Sequence, residues 1–403
     1  IKHDCSNCSL TDCKLRKLKE KGFYQTNAQE RKIQLVGNNK SSTINCKENE
    51  SLLDALLRQG YYMSAACGGR GTCGKCKVKV TQGNLKITLQ DEKTLKKEEL
   101  EKGYRLACKA YPKEDCTIEL ISGDESDFEV IAKDSKFENN QRQVDEDDYG
   151  FAVDIGTTTI AISLLGLTSK KVLQTYTAVN KQRAYGADVI SRIEASNSGK
   201  IALLQNSIRN DLLLGFRRLS SEWKIDRKKI TKIVISGNTT MGHLLMGYSC
   251  ESLGRYPFTP VNIATIEEDF QNVFANDEFD ALVTLLPGIS TFVGADIAAG
   301  LSVCDFDKKE APCMLIDLGT NGEMAIGTKD DILVSSTAAG PAFEGGNITY
   351  GVGSIAGAIC NISINPDSDS KTDHVFTYKN VVSKTIGNKS PVGICGTGVV
   401  DIT

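Results

Sequence analysis

Along residues 31–122 apolar and polar positions alternate in short runs. "RKIQLV" and "STINCK" each read as a half-buried strand, with the turn "GNNK" between them. "SLLDALLRQG" changes period: leucines recur at helical spacing, Ser51 stands as N-cap and Gly60 closes the run, which predicts a short helix. "CKVKV" and "CTIEL" predict two more strands. From Tyr149 onward strands alternate with helices. "GFAVDIG" and "IAISLLGL" predict strands joined by a Gly-Thr turn, and "SRIEASN" and "KIALLQNSIRNDLLLGFRRLSSEW" predict helices, the second long and amphipathic. "KIVISGN" predicts a buried strand, with the helix "TTMGHLLMG" after it. "CMLIDLGTNGEMAIG" then repeats the strand–turn–strand theme. The first region is thus α+β, and the second is α/β, with a recurrence that points to two related halves.

Composition divides the chain further. Four parts emerge: a polar, Cys-containing leader over 1–30, a small α+β domain over 31–122, an acidic linker over 123–149 and an α/β domain over 150–403. The linker holds ten acids against three bases, with one short strand predicted at "FEVIA". Over the 403 residues the net charge is −3, and no basic face is large enough to point to nucleic acid. No apolar run approaches the length of a membrane span, and "IKHDCSNCSL" lacks the apolar core of a secretory signal. A cytoplasmic protein with no membrane contact is expected. Whether it forms a homodimer is left open by the sequence.

Nine of the 14 cysteines fall in the first 116 residues, and such clustering in a large chain favours metal over disulfides. Cys67, Cys73 and Cys76 stand as C-x5-C-x2-C, with Cys108 downstream in "YRLACKA". The plant-type [2Fe-2S] spacing is C-x4-C-x2-C…C, one residue shorter in the first gap. Gly68, Gly69, Gly71 and Gly74 permit the φ values with which a loop wraps a cluster, and Arg70 adds positive charge beside it. Zinc is the alternative, but it favours paired C-x2-C knuckles and this segment has one. In the leader, Cys5, Cys8 and Cys13 would begin a second cluster or zinc site, with His3, Cys46 or Cys116 as fourth ligand, or are free thiols of a tail. Cys250, Cys304, Cys313, Cys360 and Cys395 sit in apolar context and read as core.

"VDIGTTT" (Val153–Thr159) and "IDLGTNGE" (Ile316–Glu323) share a design: an apolar strand ending in Asp, then a Gly-containing turn with hydroxyls. Such a turn presents amides to an anion, and its Asp can hold Mg²⁺ directly or through water. Two copies would clamp a triphosphate from both sides. The P-loop pattern is absent. "GVGSIA" (Gly351–Ala356) fits a dinucleotide fingerprint but follows the glycine-rich "GPAFEGGNITY" rather than a strand, so NAD is not expected. "AAGPAFEGGNI" either lines the nucleotide cleft or a partner surface, with Glu344 as a polar contact, or is a plain glycine-rich turn. Glu323 is the candidate catalytic carboxylate that orients an attacking water, with a surface carboxylate as alternative. Asp296 reads as an acid–base or magnesium residue or as a carboxylate at a helix N-terminus, and His243 as structural.

Residues 31–122 resemble the ferredoxin family. The paired turns, with "SGNTTMGHLL" between and "GICGTGVVDI" after, resemble the actin-like ATPase superfamily. That likeness implies ATP and Mg²⁺ at Asp154, Gly156, Thr157 and Thr158 in one loop and Asp317, Gly319, Thr320 and Gly322 in the other. Gly396 and Gly398 would belong to the adenosine motif, and "GNTTM" to the helix connecting the halves. Together the segments resemble the reductive activators of corrinoid proteins. The implied architecture is a β-grasp [2Fe-2S] ferredoxin domain joined to an actin-like (ASKHA, ribonuclease H-like), two-lobed ATPase domain. The implied activity is ATP-dependent return of one electron to Co(II), giving Co(I), in a corrinoid protein of a methyltransferase system. An unidentified low-potential electron donor would reload the cluster. An ASKHA-type phosphotransferase, an ATP-gated ferredoxin scaffold without a corrinoid substrate and an activator of a 2-hydroxyacyl-CoA dehydratase are the rival readings. Because an actin-like second lobe carries further helices after its adenosine motif, the chain reads as C-terminally truncated.

Overall fold

The computed structural model describes residues 30–37, 40–59, 61, 63, 65, 67–121, 146–337, 350, 357–364, 376–378 and 381–402. Cys5, Cys8, Cys13, His3, Gly60, most of the acidic stretch 123–149, Glu344 with "AAGPAFEGGNI", and "GVGSIA" lie outside the described residues. The chain divides into two compact units, Ile1–Met63 with Arg70–Ile121 and Ser64–Gly69 with Ser122–Thr403.

In the first unit β1 (Arg31–Gly37) and β2 (Lys40–Cys46) form the expected hairpin, and β3 (Lys77–Gln82), β4 (Tyr104–Leu106) and β5 (Cys116–Leu120) complete a five-stranded sheet in the order β2-β1-β5-β3-β4. β1 runs parallel to β5, while the other neighbours are antiparallel. The apolar stripe of α1 (Leu52–Arg58) is buried through Leu52, Leu53, Ala55 and Leu56, and Ser51 Oγ caps it by accepting from the Asp54 amide at 3.1 Å. Two further helices precede β4, α2 (Leu89–Thr94) and α3 (Lys97–Glu101).

The second unit opens with an antiparallel meander, β6 (Tyr149–Ile155), β7 (Thr159–Gly166) and β8 (Lys171–Val179). β9 (Ile230–Gly237) and β11 (Leu282–Leu285) add in parallel to β6, and β10 (Ile266–Asp269) closes the edge, giving the order β10-β11-β9-β6-β7-β8. α4 (Val189–Ala195) leads through a kink at Gly199 into α5 (Ile201–Glu222). Gly215 lets α5 lie close to the sheet: a Cβ there would stand 2.4 Å from Ile162 Cδ1. Phe216 stacks on Phe151 at 4.6 Å between centroids. α6 (Thr239–Met246) follows β9, and β11 extends the same sheet, so "GNTTM" lies inside the first half rather than between the halves as expected. α7 (Phe270–Phe274) and α8 (Ala295–Val303) come before the second meander, β12 (Cys313–Leu318), β13 (Gly322–Gly327) and β14 (Ile332–Thr337). β15 (Ala358–Ile364), β16 (Phe376–Tyr378), β17 (Val381–Thr385) and β18 (Gly393–Ile394) form a four-stranded sheet, and α9 (Gly396–Ile402) ends the described chain.

Among the scattered cysteines, Cys250 and Cys395 are buried as expected, but Cys304 is exposed and Cys313 and Cys360 are only half-buried. Cys304 follows the exposed end of α8, where none of the described residues covers it, and apolar sequence context alone misplaced it. His243 is structural: its Nε2 accepts from the Val261 amide at 2.9 Å, which leaves Nδ1 protonated and donating to the Thr239 carbonyl at 2.8 Å. No helix among the described residues is long and apolar enough to cross a membrane.

Candidate functional site

Two sites are built from the predicted motifs. Cys73, Cys76 and Cys108 fall in the first unit, while the segment Ser64–Gly69, with Cys67, is grouped with the second. In the first unit the sulfurs of Cys76 and Cys108 approach to 3.3 Å, both buried, and Cys73 is half-buried. Two thiolates on one tetrahedral metal at ~2.3 Å lie roughly 3.7 Å apart, so this pair is spaced to share one iron. Gly68, Gly69, Gly71 and Gly74 all have positive φ, as a wrapped loop requires. Cys67 is also buried and free of any disulfide. Among the described residues no three His, Cys, Asp or Glu groups converge on one point as for a single ion. A [2Fe-2S] cluster instead takes its four thiolates as two pairs, and the donor set fits it. Cys46 and Cys116 are both buried, and Cys46 donates to the Glu50 carbonyl at 3.5 Å; the leader cysteines that either would join lie outside the described residues.

α2 ties both cysteine segments together, and the motif search missed it. Thr94 Oγ1 donates to the Gly71 carbonyl at 2.7 Å, and Gln90 Nε2 to the same oxygen at 3.3 Å. Buried Asp91 accepts from the Leu106 amide at 2.8 Å, just before Cys108. Thr88 and Asp91 form a capping box that starts the helix, and this "TLQD" spacing was the available signal. Gly71 has positive φ, and a Cβ there would stand 2.5 Å from Gln90 Cγ, so a replacement is strained and displaces the Gln90 side chain. Thr94→Val is expected to cost about 1 kcal/mol and to loosen the loop. The check is the decay of visible absorbance in air, several-fold faster than in the parent at unchanged helical content.

In the second unit the two Asp-Gly-Thr turns face one another. Asp154 and Asp317 are each the penultimate residue of the first strand of a meander, and Thr158 Oγ1 lies 2.8 Å from Thr320 Oγ1. A cavity of about 320 Å³ between the turns is lined by Asp154, Gly156, Thr157, Thr158, Asp317, Gly319, Thr320 and Glu323, joined by Asn238 and Asp296. Gly294 brings Asp296 in: its Cα packs so closely on the β9–α6 turn that a Cβ would stand 2.5 Å from Asn238 Cα. Asp296 is therefore both a first-turn carboxylate of α8 and a wall of the cavity, so the two readings of it merge. Gly322 opens β13 beside the cavity without lining it. Gly396 and Gly398, expected in the adenosine motif, start α9 and are not among the residues that line this cavity.

Burial raises all four carboxylates, and repulsion by neighbouring carboxylates adds to it for Asp154, Asp296 and Glu323. Asp154 goes up to about 6 and Glu323 up to about 7, each mainly by burial and then by the Asp296 and Asp317 charges, while burial also raises Asp296 and Asp317. Such a set of oxygen donors suits Mg²⁺, which takes one or two carboxylates and keeps several waters and phosphate oxygens. The first turn is held from behind by groups outside any motif. Arg192, fully buried, donates to the carbonyls of Thr157 and Gly186 and, at 3.3 Å, to Gln182 Oε1. Asn180 Nδ2 donates to the Gly156 carbonyl and Asn238 Nδ2 to Thr157 Oγ1, each at 2.9 Å. With its carbonyls drawn inward, the turn can present amides to an anion.

Comparison with known proteins agrees with both sites. A model of the RACo middle region matches residues 149–309, and a model of the C-terminal domain of RACo, the ASKHA domain, matches residues 311–403. The chain belongs to the RACo family. In this RACo-family chain a 2Fe-2S iron-sulfur cluster binding domain model also matches residues 36–113. The corrinoid activation enzyme RamQ of Eubacterium limosum is 36% identical over 63% of this chain and 41% of its own length. The Co(II) methylated amine-specific corrinoid protein reductase of Methanosarcina barkeri is 25% identical over 62% of this chain and 49% of its own. The chain thus spans less than half of these two curated relatives. A solved reductive activator for a corrinoid, iron-sulfur protein superposes over 93% of this chain and 72% of that one, with 28% identity and a TM-score of 0.54.

Proposed function

We propose that this RACo-family chain is an ATP-dependent oxidoreductase that passes one electron to the Co(II) of a corrinoid protein serving a methyltransferase system. The single observation that carries the reading is the pairing on one chain of the close Cys76–Cys108 thiols with two phosphate-type turns that touch through Thr158 and Thr320. A phosphotransferase needs only the turns, and an electron carrier needs only the thiols. The names of the relatives supply the substrate class.

Cys67, Cys73, Cys76 and Cys108 would hold a [2Fe-2S] cluster, which supplies one-electron transfer when bound. Plant-type clusters lie near about −400 mV. Each ~59 mV uphill costs a factor of ten, about 1.4 kcal/mol, so a lower-potential cobalt would stall the transfer. ATP can change this only by binding two conformations with different affinity. In the ASKHA unit the amides of Gly156–Thr158 and Gly319–Thr320 would grip the phosphates from opposite sides. Asp154 or Asp317 would hold Mg²⁺, directly or through water. Glu323, 5% exposed and raised to about 7, would orient a water and take its proton.

The test is anaerobic mixing of reconstituted chain, ATP and a Co(II) corrinoid protein, followed by the loss of the Co(II) spectrum. Glu323→Gln is expected to bind ATP within a few-fold of the parent while hydrolysis falls by about 10²–10⁴-fold. Electron transfer unaffected by ATP would end the proposal, and phosphate appearing on a small acceptor instead of in water would point to the phosphotransferase.

A further inference from the structure

Charge is unevenly divided along the chain. Residues 31–121 carry 17 Lys and Arg against 11 Asp and Glu, a net +6, in a chain of net −3, so the remainder is net −9. Within the first unit much of the positive charge is neutralised locally. Lys77 pairs with Glu99 at 2.8 Å, Lys79 with Glu119 at 3.5 Å and Arg58 with Glu50 at 2.8 Å. Two other lysines beside the cysteines are different. Lys75, exposed between Cys73 and Cys76, and Lys109, directly after Cys108, have no ion-pair partner among the described residues. The stem of Lys109 lies along the loop, its Cγ and Cε 3.1 Å from where a Gly71 Cβ would be. Arg70, next in sequence to Gly71, is exposed as well. Two apolar side chains stand out at the same rim. Leu89, 77% exposed, adjoins Gln90, which holds the Gly71 carbonyl, and Tyr111, 52% exposed, follows Cys108 by three residues.

Magnitude separates two roles for these cations. A solvated lysine at the surface contributes about 1 kcal/mol or less to a fixed charge nearby. Yet several like charges together act on an approaching body over a Debye length of ~10 Å and raise its encounter rate by about 10–10³-fold. Apolar anchors within a charged rim are the anatomy of a protein interface. The opposite net charge of the rest of the chain would repel an acidic body elsewhere and leave it this face. A partner that must also engage the ATPase unit would meet both signs, whereas a small carrier needs the cysteine rim alone.

We infer that Arg70, Lys75 and Lys109, around Leu89 and Tyr111, form the docking face for a small electron-carrier protein whose redox centre is ringed by acidic side chains, and that this carrier loads the cluster. The inference rests on the cluster reading above. One electron leaves the reduced carrier and one ferric iron becomes ferrous, with no bond made or broken and no proton moved.

The test uses the reconstituted full chain and two reductants in stopped flow: a reduced flavodoxin of acidic surface, and methyl viologen radical cation. With flavodoxin the second-order rate is expected to fall about tenfold or more between ~0.05 and ~0.5 M salt. Lys75→Glu with Lys109→Glu is expected to lower the low-salt rate about tenfold and to flatten the salt dependence. Lys75→Gln with Lys109→Gln falls between, and Leu89→Ser lowers the rate without altering its salt slope. With methyl viologen the double Glu variant reacts as fast as the parent or faster. Equal losses with both reductants, a flavodoxin rate indifferent to salt, or a loss confined to transfer onto the corrinoid protein would each overturn the docking face. A chain that takes up no iron fails at the cluster reading, an outcome visible in the spectrum before any carrier is added.

Discussion

Cys108→Ala protein is expected to leave anaerobic iron and sulfide reconstitution with less than about a tenth of the parent's visible absorbance, and corrinoid reduction should fall by about 100-fold or more. Even outer-shell changes at metal sites cost about 10–100-fold, and here a ligand is lost. Cys76 sits 3.3 Å away and would be left to hold its iron alone. The Ala107 amide donates to the Cys76 carbonyl at 2.8 Å, which ties the two cysteine segments together. Cys116→Ala is the control. That buried thiol stands outside the C-x5-C-x2-C…C set, so the variant should keep its colour. Iron and sulfide per chain, with the spectrum, decide the matter. A fully coloured Cys108→Ala protein would remove the cluster assignment.

Arg192→Met is expected to carry the second large effect. Its loss strands the Thr157 and Gly186 carbonyls and Gln182 Oε1 in a site without water access, where each unpaired acceptor costs about 1–3 kcal/mol. The neighbouring buried Asp211 also loses the positive field that helps keep it charged. A stability loss on the order of 3–5 kcal/mol follows, as for breaking other buried ionic networks. Nucleotide affinity should drop about 10–100-fold, because the Thr157 carbonyl is no longer held away from the phosphates. Arg192→Lys keeps the charge but not the planar fork, so it should recover part of the stability and little of the affinity. Denaturant titration and calorimetric ATP binding on the folded protein separate the two. A variant with lowered stability and unchanged affinity would make Arg192 a core residue only.

Much of both sites could be read from the sequence because their chemistry is local. A cluster loop needs cysteines at fixed short spacing and glycines at positive φ, and Cys67 to Cys76 show both. A phosphate turn needs an apolar strand, an Asp and small hydroxyl residues in direct succession. What braces these motifs was not readable. Nothing in "SRIEASN" distinguishes Arg192 from a surface arginine on a predicted helix, although it is the largest fully buried side chain. Asp91 and Thr94 likewise reach Leu106 and Gly71, contacts 15 and 23 residues away that no local pattern encodes. Apolar context also misjudged Cys304, since exposure depends on what packs over a residue and not on its neighbours in the chain.

The sequence by itself determined the ligand types, the two repeated turns and the order of the elements, because each follows from spacing within a few residues. Only the tertiary structure decided that Thr158 meets Thr320, that Asp296 shares their cavity and that Arg192 stands behind Thr157. Those contacts join strands and helices far apart in the chain, and they are set by how the meanders and α8 pack, where close approach at Gly294 matters more than any local propensity.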